Sequence, residues 1–100
     1  MAAPLEDITV VEIDNYMAAP STGAILADLG ARVIKVEPLG GDPMRGIGRP
    51  AKVEGSFKGY DFGFDVDNRG KQSISVALDT EQGAALVHRL VKSADVFLCN

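Results

Sequence analysis

The sequence predicts an α/β fold: a parallel sheet flanked by helices. Three observations predict it. Four short, β-branched and apolar runs occur at residues 8–13, 31–37, 73–78 and 94–99. Helical patterns separate the first run from the second and the third from the fourth. Two strands joined by one short helix form a βαβ unit, which implies parallel pairing and a right-handed crossover.

Each element follows from local chemistry. Ile8-Thr9-Val10-Val11-Glu12-Ile13, bounded by Asp7 and by Asp14-Asn15, reads as a buried strand. Pro20-Ser21-Thr22 offers helix-start chemistry, with a fixed φ at proline and hydroxyls that can cap free N–H groups. Ile25 and Leu29 share a face at i,i+4, and Gly30 suits the left-handed position that stops the helix. Residues 31–37 form the second strand, closed by Pro38. Ser73-Ile74-Ser75-Val76-Ala77-Leu78 is the third. Asp79-Thr80 then caps a helix from Glu81 to Lys92, whose stripe is Leu86, Val87, Leu90 and Val91. Glu81 in its first turn, with Arg89 and Lys92 in its last, suits the helix macrodipole. A fourth strand begins at Ala94, and a βα loop is expected to follow Asn100.

Residues 38–72 differ. They hold eight of the eleven glycines, three of the five prolines and four of the six aromatic residues. A stretch of this length without elements is a functional loop or a linker. Phe57, Tyr60, Phe62 and Phe64 favour an ordered loop, because disordered linkers are poor in aromatics.

Composition narrows the function classes. A net charge of −4, with no basic stripe, argues against a nucleic-acid surface. No apolar run approaches the roughly 20 residues that span a bilayer, so no membrane partner is expected. The N-terminus has neither a basic region nor an apolar run of the signal-peptide kind. The single cysteine, Cys99, cannot pair within the chain, which fits a reduced, cytoplasmic setting.

In doubly wound sheets, ligands bind beyond the carboxyl ends of the strands. The first βα loop, Asn15 to Pro20, is the usual phosphate cradle, but it lacks the G-x-G-x-x-G fingerprint. A nicotinamide dinucleotide is therefore disfavoured, and no P-loop is present. Ala18 and Ala19 would still let a ligand approach the backbone. Glu37 sits where a ribose-binding acid would stand, but without the glycine fingerprint it reads as a solvated strand-end acid. The 40–46 segment is either a turn that aims Arg45 at an anion or a plain surface loop. His88 lies mid-helix with no metal-ligating partner at suitable spacing, so it reads as structural or exposed. No zinc signature or nucleophilic triad is present, and no metal is expected.

The ordered string of motifs resembles CoA-transferase family III over essentially the whole chain. Pro4-Leu5 followed by a turn and the first strand, then Ala18-Ala19-Pro20, resemble the family's opening. Residues 26–38, Leu-Ala-Asp-Leu-Gly-Ala-Arg-Val-Ile-Lys-Val-Glu-Pro, carry the most specific match. The 40–46 and 68–73 segments, Leu78-Asp79, Glu81-Gln82-Gly83 and Ala94-Asp95-Val96 follow in the family's order.

The resemblance implies a Rossmann-like large domain, of which residues 1–100 are the N-terminal part, in a larger fold of two interlocked subunits. It implies transfer of coenzyme A between an acyl-CoA and a carboxylic acid, through an aspartate that forms an anhydride and then a thioester. That aspartate lies beyond Asn100 in the family pattern, so no residue here takes the catalytic role. The alternatives are an acyl-CoA racemase on the same scaffold and a non-catalytic nucleotide-binding module. Carried over singly, Met17 and Ala18 match the loop lining CoA, while Val76, Ala77, Leu78 and Asp79 match the segment that holds its adenosine part. Asn100 matches the start of the loop after the fourth strand. Departures also occur. Pro38 stands where an arginine that meets the nucleotide is frequent, so that contact is either lost or moved to Lys35 or Arg45. Asp79 replaces a frequent lysine, Ala19 a glycine and Cys99 a glutamate.

A half-covered parallel sheet leaves large apolar side chains wet at about 1.5–3 kcal/mol each, against a typical stability of about 5–15 kcal/mol. Residues 1–100 expressed alone are therefore expected to fold poorly and to form no covalent CoA adduct. A well-dispersed amide NMR spectrum would refute the first expectation, and adduct formation the second.

Overall fold

The computed structural model describes residues 2–45 and 62–100. Its elements run β1 (Thr9–Ile13), α1 (Ala18–Asp28), β2 (Arg32–Glu37), α2 (Phe62–Asn68), β3 (Gln72–Ser75), α3 (Glu81–Lys92) and β4 (Val96–Cys99). The four strands form one sheet in the order β3-β2-β1-β4, and every pairing is parallel. Val10 pairs with Val33 on one side and Val96 on the other, so β1 is central.

This order reverses direction once. The chain steps outward from β1 through β2 to β3, then crosses back to place β4 on the far side of β1. Right-handed crossovers in opposite directions put α1 and α3 on opposite faces, and the cores agree. Val11, Ile34, Val36 and Val76 pack with Val87 of α3, joined by Leu90 and Val91. Val10, Ala31 and Val33 pack on the other face with Leu26 and Ala27 of α1.

The helix ends follow the residue chemistry. Gly30 has φ +102, and its N–H donates to the Ala27 carbonyl at 3.0 Å while Ala31 N–H donates to Leu26 at 3.1 Å. This is the Schellman closure that the glycine predicted. Thr80 caps α3 by accepting the Gly83 N–H at 3.0 Å. Helix α1 begins at Ala18, two residues before the Pro20 start expected from sequence. Pro20 is tolerated there because the first four N–H groups of a helix have no intrahelical acceptor.

Two expectations are corrected. The region expected to lack elements contains α2, whose glycine and acidic residues give it weak intrinsic propensity. Packing supplies what propensity lacks: α2 lies against α1, and Ser21 Oγ donates to Asp67 Oδ1 at 2.9 Å. Phe57 and Tyr60 fall outside the described residues. Strand β3 also stops at Ser75, before the predicted Leu78, because Val76 makes one last bond to the Glu37 carbonyl at 2.9 Å and the chain then turns.

Gly83 makes that turn possible. A methyl group on it would lie 1.9 Å from the Ala77 carbonyl oxygen, which already accepts the Thr80 N–H and hydroxyl. Backbone cannot yield as a side-chain tip can, so Gly83→Ala is expected to destabilise the full-length protein by about 1–3 kcal/mol. Differential scanning calorimetry would show a lower Tm, and an unchanged value would contradict this close approach.

Candidate functional site

The carboxyl ends of all four strands share one edge of the sheet, and the reversal of strand order falls between β1 and β4. One side chain closes that point. Asn100 Oδ1 accepts the Asn15 N–H at 3.0 Å, and its Nδ2 donates to the Asn15 carbonyl at 3.0 Å. Beyond Asn15, Tyr16 takes a positive φ of 63, unusual for a residue with a Cβ and costing about 1–2 kcal/mol. Met17 then caps α1 with no side-chain hydrogen bond, and the first turn carries no acidic residue. The free N–H groups at Ala18 and Ala19 therefore keep their attraction for an anion. The structure thus brings Met17, Ala18 and Asn100 to one place, with Met17 and Ala18 exposed.

A second group lies across β2. Pro38, Leu39, Ala77, Leu78 and Asp79 line a cleft of about 300 Å³. The groups lie above β1 and β3, two strand spacings or about 10 Å apart. Val76 belongs to the core instead and would reach a ligand only through its backbone. Two other depressions lie against α3, one lined by Ile74, Leu86 and Arg89, the other by Ile13, His88 and Phe97. Neither touches a strand-end loop of the candidate site, and His88 is exposed on α3. Among the described residues, no group of His, Cys, Asp or Glu is placed to hold a metal, and no helix is long and apolar enough to cross a membrane.

Beneath these loops is a feature the sequence reading missed, a buried ionic cluster between the sheet and the α1–α2 layer. Lys35 Nζ lies 2.8 Å from Asp14 Oδ1 and 2.9 Å from Asp42 Oδ2, and its side chain is 1 % exposed. Arg45 grips Glu37 with two bonds, 2.6 Å to Oε1 and 2.7 Å to Oε2, and stacks 3.9 Å from the centre of the Phe64 ring. Glu37 also accepts the Ser73 hydroxyl and the Asp42 N–H. Lys71 donates to the Pro20 and Asp67 carbonyls and to Asn68 Oδ1, and its Nζ lies 2.7 Å from Glu12 Oε1. The sequence did signal this. Glu12 and Lys35 stand mid-strand among residues that must be buried, and a buried charge needs a partner.

The cluster bears on three readings. Glu37 is buried and clamped instead of solvated. Lys35 is enclosed between two carboxylates and has 1 % of its side chain exposed, so it does not face the strand-end surface. Arg45 binds Glu37 while 45 % of its side chain stays exposed. Both cations neutralise carboxylates that the fold has removed from water.

Burial in the cluster raises the proton affinity of Glu12. A lysine ammonium has three N–H groups, and those of Lys71 have three other acceptors, which leaves Glu12 Oε1 a charge contact without a hydrogen of its own. Glu12 Oε2 and Asp14 Oδ2 are buried with no donor as well. Desolvation first, then the bond to the Asp14 carboxylate, pushes Glu12 up to about 8 against the pull of Lys71. Burial likewise drives Lys71 downward despite Glu12. For Lys35, burial acts downward, but the bonds to Asp14 and Asp42 prevail and raise it. Burial acts upward on Glu37, yet Arg45, Ser73 and the Asp42 N–H hold it down to about 2.

Comparison with known proteins defines the class. The fold is a four-stranded, Rossmann-like parallel sheet. The model of CoA-transferase family III matches residues 5–100, and the chain belongs to that family. It is 47% identical over 98 residues to succinyl-CoA–D-citramalate CoA-transferase of Chloroflexus aurantiacus, covering 97% of this chain and 23% of that protein. It is 46% identical over 102 residues to succinate–glutarate CoA-transferase of Agrobacterium fabrum, covering 97% and 25%. A crystal structure of a CAIB/BAIF family protein from Brucella suis superposes with TM-score 0.83 at 45% identity, covering 97% of this chain and 25% of that one. That of Rv3272 from M. tuberculosis gives 0.82 at 40%, covering 96% and 24%. The chain thus spans about a quarter of the length of the relatives it matches.

The raised proton affinity of Glu12 sets a pH dependence. Between about pH 4.5 and 8 the folded state keeps a proton on Glu12 that the unfolded chain has released, so Glu12 makes stability fall as pH rises through that window. Glu37 acts oppositely between about pH 2 and 4.5, where stability rises with pH. The Glu12 slope is at most about 1.4 kcal/mol per pH unit. Glu12→Gln, a neutral isostere whose amide can donate to Asp14, is expected to flatten the decline. Denaturation midpoints at about pH 5 and pH 8 measure it, and an equal decline in both proteins would place the proton elsewhere.

Proposed function

We propose that the chain is the N-terminal part of an enzyme that moves coenzyme A between carboxylic acids, and that it supplies part of the CoA site. The observation that carries this reading is the family match, supported by two groups on the strand-end edge: Met17, Ala18 and Asn100 at the reversal point, and Pro38, Ala77, Leu78 and Asp79 in the cleft beyond β2.

The chemistry of coenzyme A suits these residues. Its adenine is flat and apolar on its faces, and the cleft walls of Pro38, Leu39, Ala77 and Leu78 match it. Its phosphates need donors, and the uncapped start of α1 offers backbone N–H groups there. Alanine at position 18 lets a ligand come close to that backbone. Asp79 brings no cation to the cleft, and Lys35 and Arg45 are engaged internally, so backbone donors would carry much of the phosphate recognition within this part.

The reaction follows the family pattern. An aspartate beyond residue 100 attacks the acyl-CoA carbonyl, forming an acyl anhydride and releasing the CoA thiolate. The thiolate then attacks the aspartyl carbonyl, frees the first acid and leaves an aspartyl thioester, from which the second acid takes the CoA. The present residues would hold the CoA body while its sulfur changes partners. The relatives named above are CoA-transferases, which favours transfer over racemisation. An interlocked homodimer acting in the cytoplasm completes the reading.

Ala18→Trp tests the loop. Ala18 is exposed at the start of α1, so the indole can be accommodated without disturbing the core. In the full-length protein the KM for the CoA thioester is expected to rise at least about tenfold with Tm unchanged. Unaltered kinetics in the folded variant would remove the first loop from the CoA site.

A further inference from the structure

We propose that Asp42, held by Lys35, is a positioning residue whose carboxylate sets the backbone of Tyr16 and so aims Met17 and Ala18 at the ligand. The inference rests on the reading that this loop lines the CoA site. It starts from Tyr16, whose positive φ needs an external hold. The ring cannot supply it, because Tyr16 is 52 % exposed. Its backbone N–H, however, donates to Asp42 Oδ1 at 3.4 Å.

Asp42 is itself held by three contacts. The same Oδ1 accepts the Met44 N–H at 2.8 Å, Oδ2 pairs with Lys35 at 2.9 Å, and the Asp42 N–H donates to Glu37 Oε1 at 2.9 Å. Lys35 also binds the Asp14 carboxylate at 2.8 Å and the Asp14 carbonyl at 3.3 Å. One ammonium therefore holds both the residue two places before Tyr16 and the carboxylate that receives the Tyr16 N–H. Lys35, Asp14 and Asp42 are all essentially buried, so water cannot take over these contacts. Asn100 fixes the other flank through Asn15. The direction of the loop is thus set from the loop after β2 and the strand beneath, and its own side chains, Tyr16, Met17 and Ala18, stay free to face a ligand.

The test uses the full-length protein with a CoA thioester as probe. Asp42→Ala is expected to speed deuterium exchange in the 15–18 segment about tenfold. It should also raise the KM for the thioester about tenfold with kcat within about threefold, because only pre-organisation of the binding loop is lost. A purely structural role would lower Tm and the active fraction but leave that KM unmoved. Asp42→Asn keeps an oxygen for the Tyr16 and Met44 N–H groups and is expected to recover most of the lost affinity.

Tyr16→Pro reaches the same contact from the exposed side, without touching a buried charge, and serves if Asp42→Ala does not fold. It deletes the donated N–H, cannot take a positive φ, and should raise the same KM. A folded Asp42→Ala with unchanged exchange and KM overturns the inference, as does an unchanged KM in Tyr16→Pro. Faster exchange with an unchanged KM also overturns it, by showing that the loop is set by Asp42 but does not meet the ligand. A wild-type protein without CoA-thioester turnover refutes the functional reading instead, and the exchange comparison then still decides whether Asp42 holds the loop.

Discussion

Lys35 sits between Asp14 and Asp42 with 1 % of its side chain exposed, and the ligand edge of the sheet is organised around that contact. Asp14 closes β1, and Asp42 stands in the loop after β2. Placing three charges out of water is costly, and only their mutual attraction with well-aimed hydrogen bonds offsets it. Removing one member would leave an uncompensated buried charge, at a cost of about 3–5 kcal/mol. Strand-end loops are usually the mobile parts of a domain. Here they are tied to the sheet by an interaction that works only in one geometry.

The two faces of the sheet carry different physics as a result. The face under α3 is apolar from Val11 and Ile34 to Val87. The opposite face is apolar only toward the amino ends of the strands, at Val10 and Val33, and becomes ionic toward the carboxyl ends at Glu12, Lys35 and Glu37. Strand alternation produces this, because every second residue of β1 and β2 points to the α1–α2 layer. Gly23 accommodates it: a methyl group there would lie 2.5 Å from Glu12 Oε1, so any larger residue would have to displace the Glu12 carboxylate. Apolar packing holds the sheet together, and the ionic half ties the strand-end loops to it.

Much was legible in the sequence because local rules determine it. The β-branched runs gave four strands, Gly30 and Thr80 marked helix ends by their backbone chemistry, and one-helix connections implied parallel pairing. The order of motifs indicated the family. The sequence thus determined, by itself, the four strands, the two longer helices and which loops share an edge, since strand ends in a parallel sheet all face the same way.

Tertiary structure decided the rest. Helix α2 forms against its own weak propensity because Ser21, Lys71 and the α1 surface hold it. Glu37, Lys35 and Arg45, read from sequence as groups facing water or a ligand, became internal partners. Their roles depend on pairs such as Lys35 with Asp14, 21 residues apart, and Lys71 with the Pro20 carbonyl, 51 apart. Such pairs meet only once the strand order brings β2 beside β1 and packs α2 against α1. Periodicity shows that a charge will be buried. Which opposite charge meets it, and which carboxylate keeps its proton, is settled by distances of about 3 Å that only the assembled sheet defines.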